Sequence, residues 1–182
     1  MKETMIDTEV TYTVEKDGKI VGFDAKMKNG KIEHLWRVDN GVLIGGGPAS
    51  HLFSEKGDYI NFHYRVEAKI NDKGNSGQYF RTAFGPGFPN GYEAQINATH
   101  GDKIKTGSLY KLSNVDMANH KPDEFFTQEV IANGDEITII VNGKTTVDKL
   151  KNGKFKTGHF ALQGHDPGSI MTFKKVEVKE IK

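Results

Sequence analysis

Tyr59-Ile60-Asn61-Phe62-His63-Tyr64-Arg65-Val66-Glu67-Ala68-Lys69-Ile70 is the clearest alternation in the chain. Ile60, Phe62, Tyr64, Val66, Ala68 and Ile70 take every second position, and Asn61, His63, Arg65, Glu67 and Lys69 fill the rest. Successive side chains of a strand point to opposite faces, whereas a helix would smear this pattern around its circumference. The stretch predicts a strand with one buried and one solvated face, as in an antiparallel sheet.

Beyond it, from Asn75 to Tyr110, polar residues stand where solvation alone would not put them. In Gly91-Tyr92-Glu93-Ala94-Gln95-Ile96-Asn97 the apolar Tyr92, Ala94 and Ile96 alternate with Glu93, Gln95 and Asn97, so a strand presents all three polar groups on one face. Gly77, Tyr79 and Arg81 share one side of the preceding run, and Thr106, Ser108 and Tyr110 share one side of the following run. Three neighbouring strands would pool Arg81, Glu93, Gln95 and Tyr110 on a single surface. The loop between the first two, Phe84-Gly85-Pro86-Gly87-Phe88-Pro89-Asn90-Gly91, has the composition of a connection that borders a site.

The flanks are also β-rich. Toward the N-terminus, Glu9 to Val14 and Ile20 to Phe23 read as strands, with turns at Lys16-Asp17-Gly18-Lys19 and Lys28-Asn29-Gly30-Lys31. Asn40-Gly41 joins Trp36-Arg37-Val38 to Val42-Leu43-Ile44 as a tight hairpin, since such turns need positive φ. Gly45-Gly46-Gly47-Pro48 ends that hairpin and is not a phosphate loop, because no Gly-Lys-Ser/Thr and no helical pattern follow it. Ser113 to Phe126 is polar and irregular. Asn133-Gly134 and Asn142-Gly143 mark two further hairpins, and Gly158 to Gln163 and Ile170 to Ile181 complete about a dozen strands with turns roughly every 8–12 residues. The expected fold is all-β, an antiparallel jelly-roll sandwich forming a single domain over residues 1–182.

Composition narrows the function classes. Lys and Arg total 25 against 24 Asp and Glu, so no overall field favours nucleic acid or an anionic membrane as partner. The absence of cysteine removes disulfides, thiolate catalysis and Cys-ligated metals. No apolar run spans a bilayer, and Met1 to Thr13 shows no secretory signal.

Glu93 is the first chemical candidate. Its companions on the strand are Gln95 and Asn97, so an acid and nucleophile pair of the kind that retaining glycosidases use is missing. The plainer reading pairs Glu93 with Arg81 to satisfy a polar sheet face. His165 is the second candidate: Phe160 and Leu162 face a core, leaving Ala161, Gln163 and His165 on the other side. A turn histidine bonded to Asp166 is the plainer alternative. His100, Asp102 and His120 lie in loops without ligand spacing. Asn97-Ala98-Thr99 matches a glycosylation acceptor, and Trp36, Tyr79, Phe84, Phe88, Tyr92 and Tyr110 are aromatics able to stack on sugar rings, with Trp36, inside a hydrophobic hairpin, the least suited to it.

Several short segments, in order and spacing, resemble the 3-keto-disaccharide hydrolase domain of bacterial sugar-degrading systems. They are Asn75-Ser76-Gly77 with Phe80-Arg81, Gly91-Tyr92-Glu93 with Gln95-Ile96, Thr106-Gly107 with Leu109-Tyr110, Val141-Asn142-Gly143, and Leu162-Gln163 with His165. The resemblance is strongest over residues 36–182. It departs at Phe126-Thr127, where the family has Trp-Asn, and at Phe173-Lys174-Lys175, where it has Phe-Arg-Asn. The family's Leu-Phe-Asn-Gly segment corresponds at best to Val21-Gly22-Phe23-Asp24.

The resemblance implies a concanavalin A-like fold and a reaction that needs no carboxylate pair. A ketone at C3 of a sugar acidifies the proton at C2, and a base can remove it while a donor or cation holds the enolate. The glycosidic oxygen then leaves C1, and water adding to the product gives net hydrolysis. Under this expectation Glu93 or His165 is the base, Arg81 holds the enolate, and Tyr79, Gln95, Tyr110 and Gln163 bind the substrate. No cofactor is required; if a divalent metal ion holds the ketone, His165 and Glu93 are its expected ligands. The partner is a carbohydrate, a 3-keto-glycoside, with no nucleic acid and no membrane. A periplasmic or secreted setting follows from the resemblance, and a cytoplasmic one from the absence of a visible signal. The alternative function is a carbohydrate-binding module using the same face.

Overall fold

The computed structural model describes residues 2–4, 9–14 and 17–182, with side chains from Asp17 onward. Part of the Met1–Thr13 segment and Lys16 of the first expected turn lie outside the described residues. The strands are β1 (Lys2–Thr4), β2 (Glu9–Val14), β3 (Ile20–Lys26), β4 (Ile32–Asp39), β5 (Val42–Gly45), β6 (Ser50–Phe53) and β7 (Phe62–Ile70). They continue as β8 (Ser76–Thr82), β9 (Tyr92–Ile96), β10 (Phe126–Asn133), β11 (Glu136–Val141), β12 (Lys144–Lys151), β13 (His159–Gly164) and β14 (Met171–Glu180). The described residues contain no helix.

Two antiparallel sheets pack face to face, a nine-stranded one in the order β12-β11-β10-β7-β14-β5-β4-β3-β2 and a five-stranded one in the order β1-β6-β13-β8-β9. This is the jelly-roll sandwich the alternation predicts. β7 lies inside the larger sheet, and its Phe62, Tyr64, Val66, Ala68 and Ile70 are buried to the last residue. From the smaller sheet Phe80, Ala94, Ile96, Phe160 and Leu162 meet them across the core. The Asn-Gly hairpins form as expected: Asn40 and Gly41 have φ of 49° and 76°, and Asn142 and Gly143 repeat those values. β6 is a strand that the sequence pattern does not announce.

Every residue of β8 is buried, although a two-layer sandwich should leave one face of each strand to water. Its inner face meets the core, and its outer face lies beneath loops. Inside, Gln78 donates to Tyr64 O (3.1 Å), and Gln128 of β10 donates to Gln78 Oε1 (3.2 Å) and Ala94 O (3.2 Å), so the buried amides tie the sheets together. Gln128 Oε1 also accepts from Gly107 N (2.9 Å). That contact anchors the segment around Thr106–Tyr110, which runs beside β9 through Tyr110 N to Glu93 O (2.9 Å) and Gln95 N to Ser108 O (3.0 Å). The expected third strand here is an irregular segment, because Gly107 at φ 91° breaks its alternation.

Candidate functional site

Registry across the five-stranded sheet fixes which side chains meet on its outer face. Phe53 pairs with Ala161, Ala161 with Tyr79, and Tyr79 with Glu93, giving one row that crosses β6, β13, β8 and β9. The next row contains His51 paired with Gln163, and Gly77 paired with Gln95. Asn75 and His165 border this second row, and the loop residues Phe88, Tyr110 and Lys111 close the rim of a cleft of about 260 Å³.

Glu93 is the single carboxylate among the residues lining that cleft. Its Oε2 accepts from the Tyr79 hydroxyl (2.8 Å), and Oε1 accepts from the Gln95 amide (3.1 Å) in the orientation that also lets Gln95 donate to Ser76 O (2.8 Å). Tyr79 Oη in turn accepts from Gln163 Nε2 (3.2 Å), making a relay Gln163 to Tyr79 to Glu93. Gly77 makes room for the carboxylate, since a Cβ there would lie 2.3 Å from Glu93 Oε1. Burial pushes the Glu93 carboxyl up to about 7; Asp102 pushes the same way, while the Tyr79 hydrogen bond and Lys111 oppose it.

Tyr110 donates from its hydroxyl to Asp102 Oδ2 (2.9 Å), and burial together with that carboxylate pushes its pKa up to about 12. It is therefore a neutral phenol at the rim. Lys111 follows it in the left-handed region, at φ 60°, with its N–H donating to Asn114 Oδ1 (3.0 Å). It is the one cation lining the cleft.

His165 lines the cleft, and its Nδ1 lies 2.8 Å from Asp166 Oδ2. Burial works against the Asp166 charge, but hydrogen bonds from His165, Ser169 and the Gly168 N–H outweigh it and hold the carboxyl below its usual range. With Nδ1–H given to Asp166, Nε2 is left as the working nitrogen.

His100, His165 and Asp166 each bring a ligand-type atom within 4.8 Å of the others. The expected ligand Glu93 does not belong to this group; it is committed to Tyr79 and Gln95 across the cleft floor. His100 Nδ1 accepts from Asp102 N (3.1 Å), His165 Nδ1 is given to Asp166, and Asp166 also accepts from Gly168 and Ser169. A divalent cation here would be held by the Nε2 atoms of the two histidines and would share Asp166 with its present donors.

Arg81 is not part of the site. Between the pairs Ala161–Tyr79 and His159–Thr82, β8 advances one residue more than β13, and Arg81 sits in that bulge at φ 49°. The extra residue turns its side chain off the outer face. The residue is 1% exposed, and its guanidinium lies over the Phe62 ring and donates to Ile60 O (3.0 and 2.7 Å), Gly134 O (2.8 Å) and Phe155 O (3.3 Å). Burial lowers its pKa from the usual arginine value. The pairing of Glu93 with Arg81 is likewise replaced by Glu93 with Tyr79.

Asn97 is fully buried and clamps its own loop, donating to Asp102 O (3.0 Å) and Ile104 O (2.9 Å), which rules it out as a glycan acceptor. Of the aromatics, Tyr79, Phe88 and Tyr110 reach the cleft, while Tyr92 belongs to the core. Sequence reasoning missed Lys111, Asn75 and His51. His51 is 3% exposed, packed edge-on against Tyr79 and Phe88 at centroid distances of 5.5 and 5.9 Å, and its Nε2 has no hydrogen-bond partner. Burial, reinforced by His165, pushes its pKa down to about 4, so the ring is neutral.

Residues 12–179 match the 3-keto-alpha-glucoside-1,2-lyase-like domain. The chain belongs to this family. Membership covers both sheets, so the lyase-like domain is the whole described sandwich apart from its ends. No curated protein sequence matches. Two solved structures of candidate glycosyl hydrolases from Parabacteroides distasonis ATCC 8503 are similar. One has a TM-score of 0.69 at 20% identity over 81% of this chain and 90% of the other, and the second has 0.68 at 21% over 81% and 83%. Carbohydrate-binding module CBM66 from Bacillus subtilis follows at 0.61, with 19% identity over 80% and 91%. At these identities the likeness is one of fold.

Proposed function

We propose that the domain cleaves 3-keto-glycosides by removing the C2 proton and eliminating the glycosidic oxygen. The observation that carries the reading is a lone carboxylate, Glu93, with its pKa pushed up to about 7 in a cleft otherwise lined by amides, a phenol, an imidazole and one ammonium. A base with this pKa is matched to removing a carbon acid's proton near neutral pH. The missing second carboxylate weakens the displacement chemistry of ordinary glycosidases and leaves elimination open.

Glu93 takes the proton from C2, and the C–H electrons form the enolate C2=C3–O⁻. Lys111, in the place once given to Arg81, lies at the rim with the charge that this oxyanion needs. As the C3 carbonyl re-forms, the electrons move into C1=C2 and the C1–O bond breaks. His165, held through Nδ1 by Asp166, acts as the imidazolium: it passes its Nε2 proton to the leaving oxygen. When water adds to C1=C2, its hydroxide joins C1 and its proton goes to His165 Nε2, while Glu93 returns its proton to C2. Gln95 and Tyr79 orient the Glu93 carboxylate, and Tyr110 and Gln163 are hydroxyl-binding groups. No step is routed through a metal.

The deciding experiment incubates the protein with a 3-keto-glucoside and with its parent glucoside, each with and without added divalent cation, and follows aglycone release. Release from the keto sugar alone, without cation, supports the mechanism. A strict cation requirement removes Lys111 as sole enolate partner, and binding without release from either sugar replaces the enzyme by a glycan-binding module. The likeness in fold to CBM66 keeps that second reading on the table.

A further inference from the structure

The outer sheet face holds two polar atoms that no group of the protein meets. His51 Nε2 and Gln163 Oε1 are buried without a hydrogen-bond partner. They belong to residues directly paired across β6 and β13, so their side chains rise side by side from the same row. Leaving a buried polar atom unmet forfeits its hydration without return, and folded proteins rarely carry two adjacent ones without a ligand or water to meet them. The remaining atoms of Gln163 are accounted for: Nε2 is given to Tyr79, which fixes the amide orientation and leaves Oε1 as a pure acceptor.

Phe88 lies over this spot. Phe88 is 67% exposed, yet the edge of its ring system closes over His51 (5.9 Å between centroids) and His165 (6.1 Å). It rides on the Phe84–Gly91 loop, which is clamped at its base by Ala83 N to Asn90 O (3.2 Å) and turns through Gly87 at φ 77°. An exposed phenyl ring over two unmet polar atoms is the arrangement of an apolar platform beside a polar floor, the two surfaces that a pyranose ring presents to a protein.

We infer that His51 and Gln163 form a hydroxyl-reading subsite beneath Phe88, which recognises a neutral sugar hydroxyl of the substrate and determines specificity. A hydroxyl is the group that satisfies both atoms at once, donating to Gln163 Oε1 and accepting from His51 Nε2–H. A carboxylate cannot donate to Gln163 Oε1, so uronic acids are excluded at this position. Entry requires Phe88 to swing away from His51. The inference rests on the proposed keto-glycoside reaction for its substrate but not for its geometry.

The test compares p-nitrophenyl 3-keto-glucoside with its 4-deoxy and 6-deoxy analogues in the full chain and in His51→Phe, which keeps ring volume and removes the nitrogens. Wild type should lose about 10- to 100-fold in kcat/KM on one of the two analogues, the cost of leaving these atoms unmet. His51→Phe should erase that preference, chiefly through KM, with a melting temperature equal to or above wild type, because an unmet polar atom has been removed. A retained preference, or equal treatment of all three sugars by wild type, overturns the inference. So does a fall of several degrees in melting temperature, which would mark His51 as a structural core residue. If wild type cleaves none of the three, the elimination reading has failed by itself, and the subsite is then read from the His51 imidazole ¹⁵N resonance as cellobiose or maltose is added. A shift of that resonance, lost when Gln163→Leu is titrated, sustains the subsite; no shift ends it.

Discussion

Replacing Arg81 separates a mechanical role from a chemical one. Its guanidinium donates to three backbone carbonyls from three separate connections, at Ile60, Gly134 and Phe155. Hydrogen bonds to a charged group contribute about 1.5–3 kcal/mol each, and part of this is recovered when the buried cation no longer has to be desolvated. Arg81→Met should therefore cost about 4 kcal/mol. For a domain of this size that corresponds to a fall of about 8–16 °C in melting temperature. Lysine can meet one carbonyl at a time and should restore only about a third of the loss. Calorimetric or circular-dichroism melts measure this directly, and kcat assayed well below the transition should stay within a few-fold of wild type. A melt within two degrees of wild type together with a collapse of kcat would falsify the structural assignment and return Arg81 to the enolate.

The other predictions concern Glu93. Because its pKa is raised to about 7, cleavage should rise with pH through about 7 as the base ionises, and Lys111→Gln should move that limb upward by removing a neighbouring positive charge; a rate that falls over this range would make Glu93 an acid. An acid with a raised folded pKa favours the native state fully below the unfolded value near 4.5 and loses that contribution as pH climbs toward 7, on the order of 3 kcal/mol in all. Glu93→Gln should thus melt several degrees above wild type at pH 8 and close to it at pH 4.5, while abolishing turnover. Gly77→Ala places a methyl group 2.3 Å from Glu93 Oε1 and displaces the side chain from Tyr79 and Gln95. It should lower kcat/KM by about 100-fold at a stability cost of only about 1–2 kcal/mol, since the clashing atom ends a flexible side chain; unchanged kinetics would show that the carboxylate position is not critical.

The period of two in β7, β9 and the Asn-Gly hairpins was enough to read the sandwich, because strands half-buried on one side carry their partner surface in the pattern itself. The grouping of Tyr79, Glu93, Gln95, Gln163 and His165 followed from the same period. Three parts of the site did not. β6 is only Ser50–Phe53 and follows a glycine-rich run, so its alternation is too short to register, and His51 was lost with it. Lys111 sits in a loop, where a charge reads as solvation until the fold brings Glu93 beside it. His100 reaches His165 only because Asn97 and Asp102 fold the intervening loop back, a long-range outcome with no local mark.

The bulge in β8 has a consequence for anyone comparing related chains. Alternation carries a phase, and in Asn75-Ser76-Gly77-Gln78-Tyr79-Phe80-Arg81-Thr82 the phase slips once, between Tyr79 and Thr82. Odd positions before the slip speak to the ligand; the odd position inside it speaks to the scaffold. In a strand of the same length that ran through this point without the bulge, position 81 would keep the phase of Tyr79 and swing its guanidinium toward Glu93, exchanging a strut for a counter-ion. The regularity of the strand at this point, as much as residue identity, decides whether a homologous arginine belongs to the chemistry.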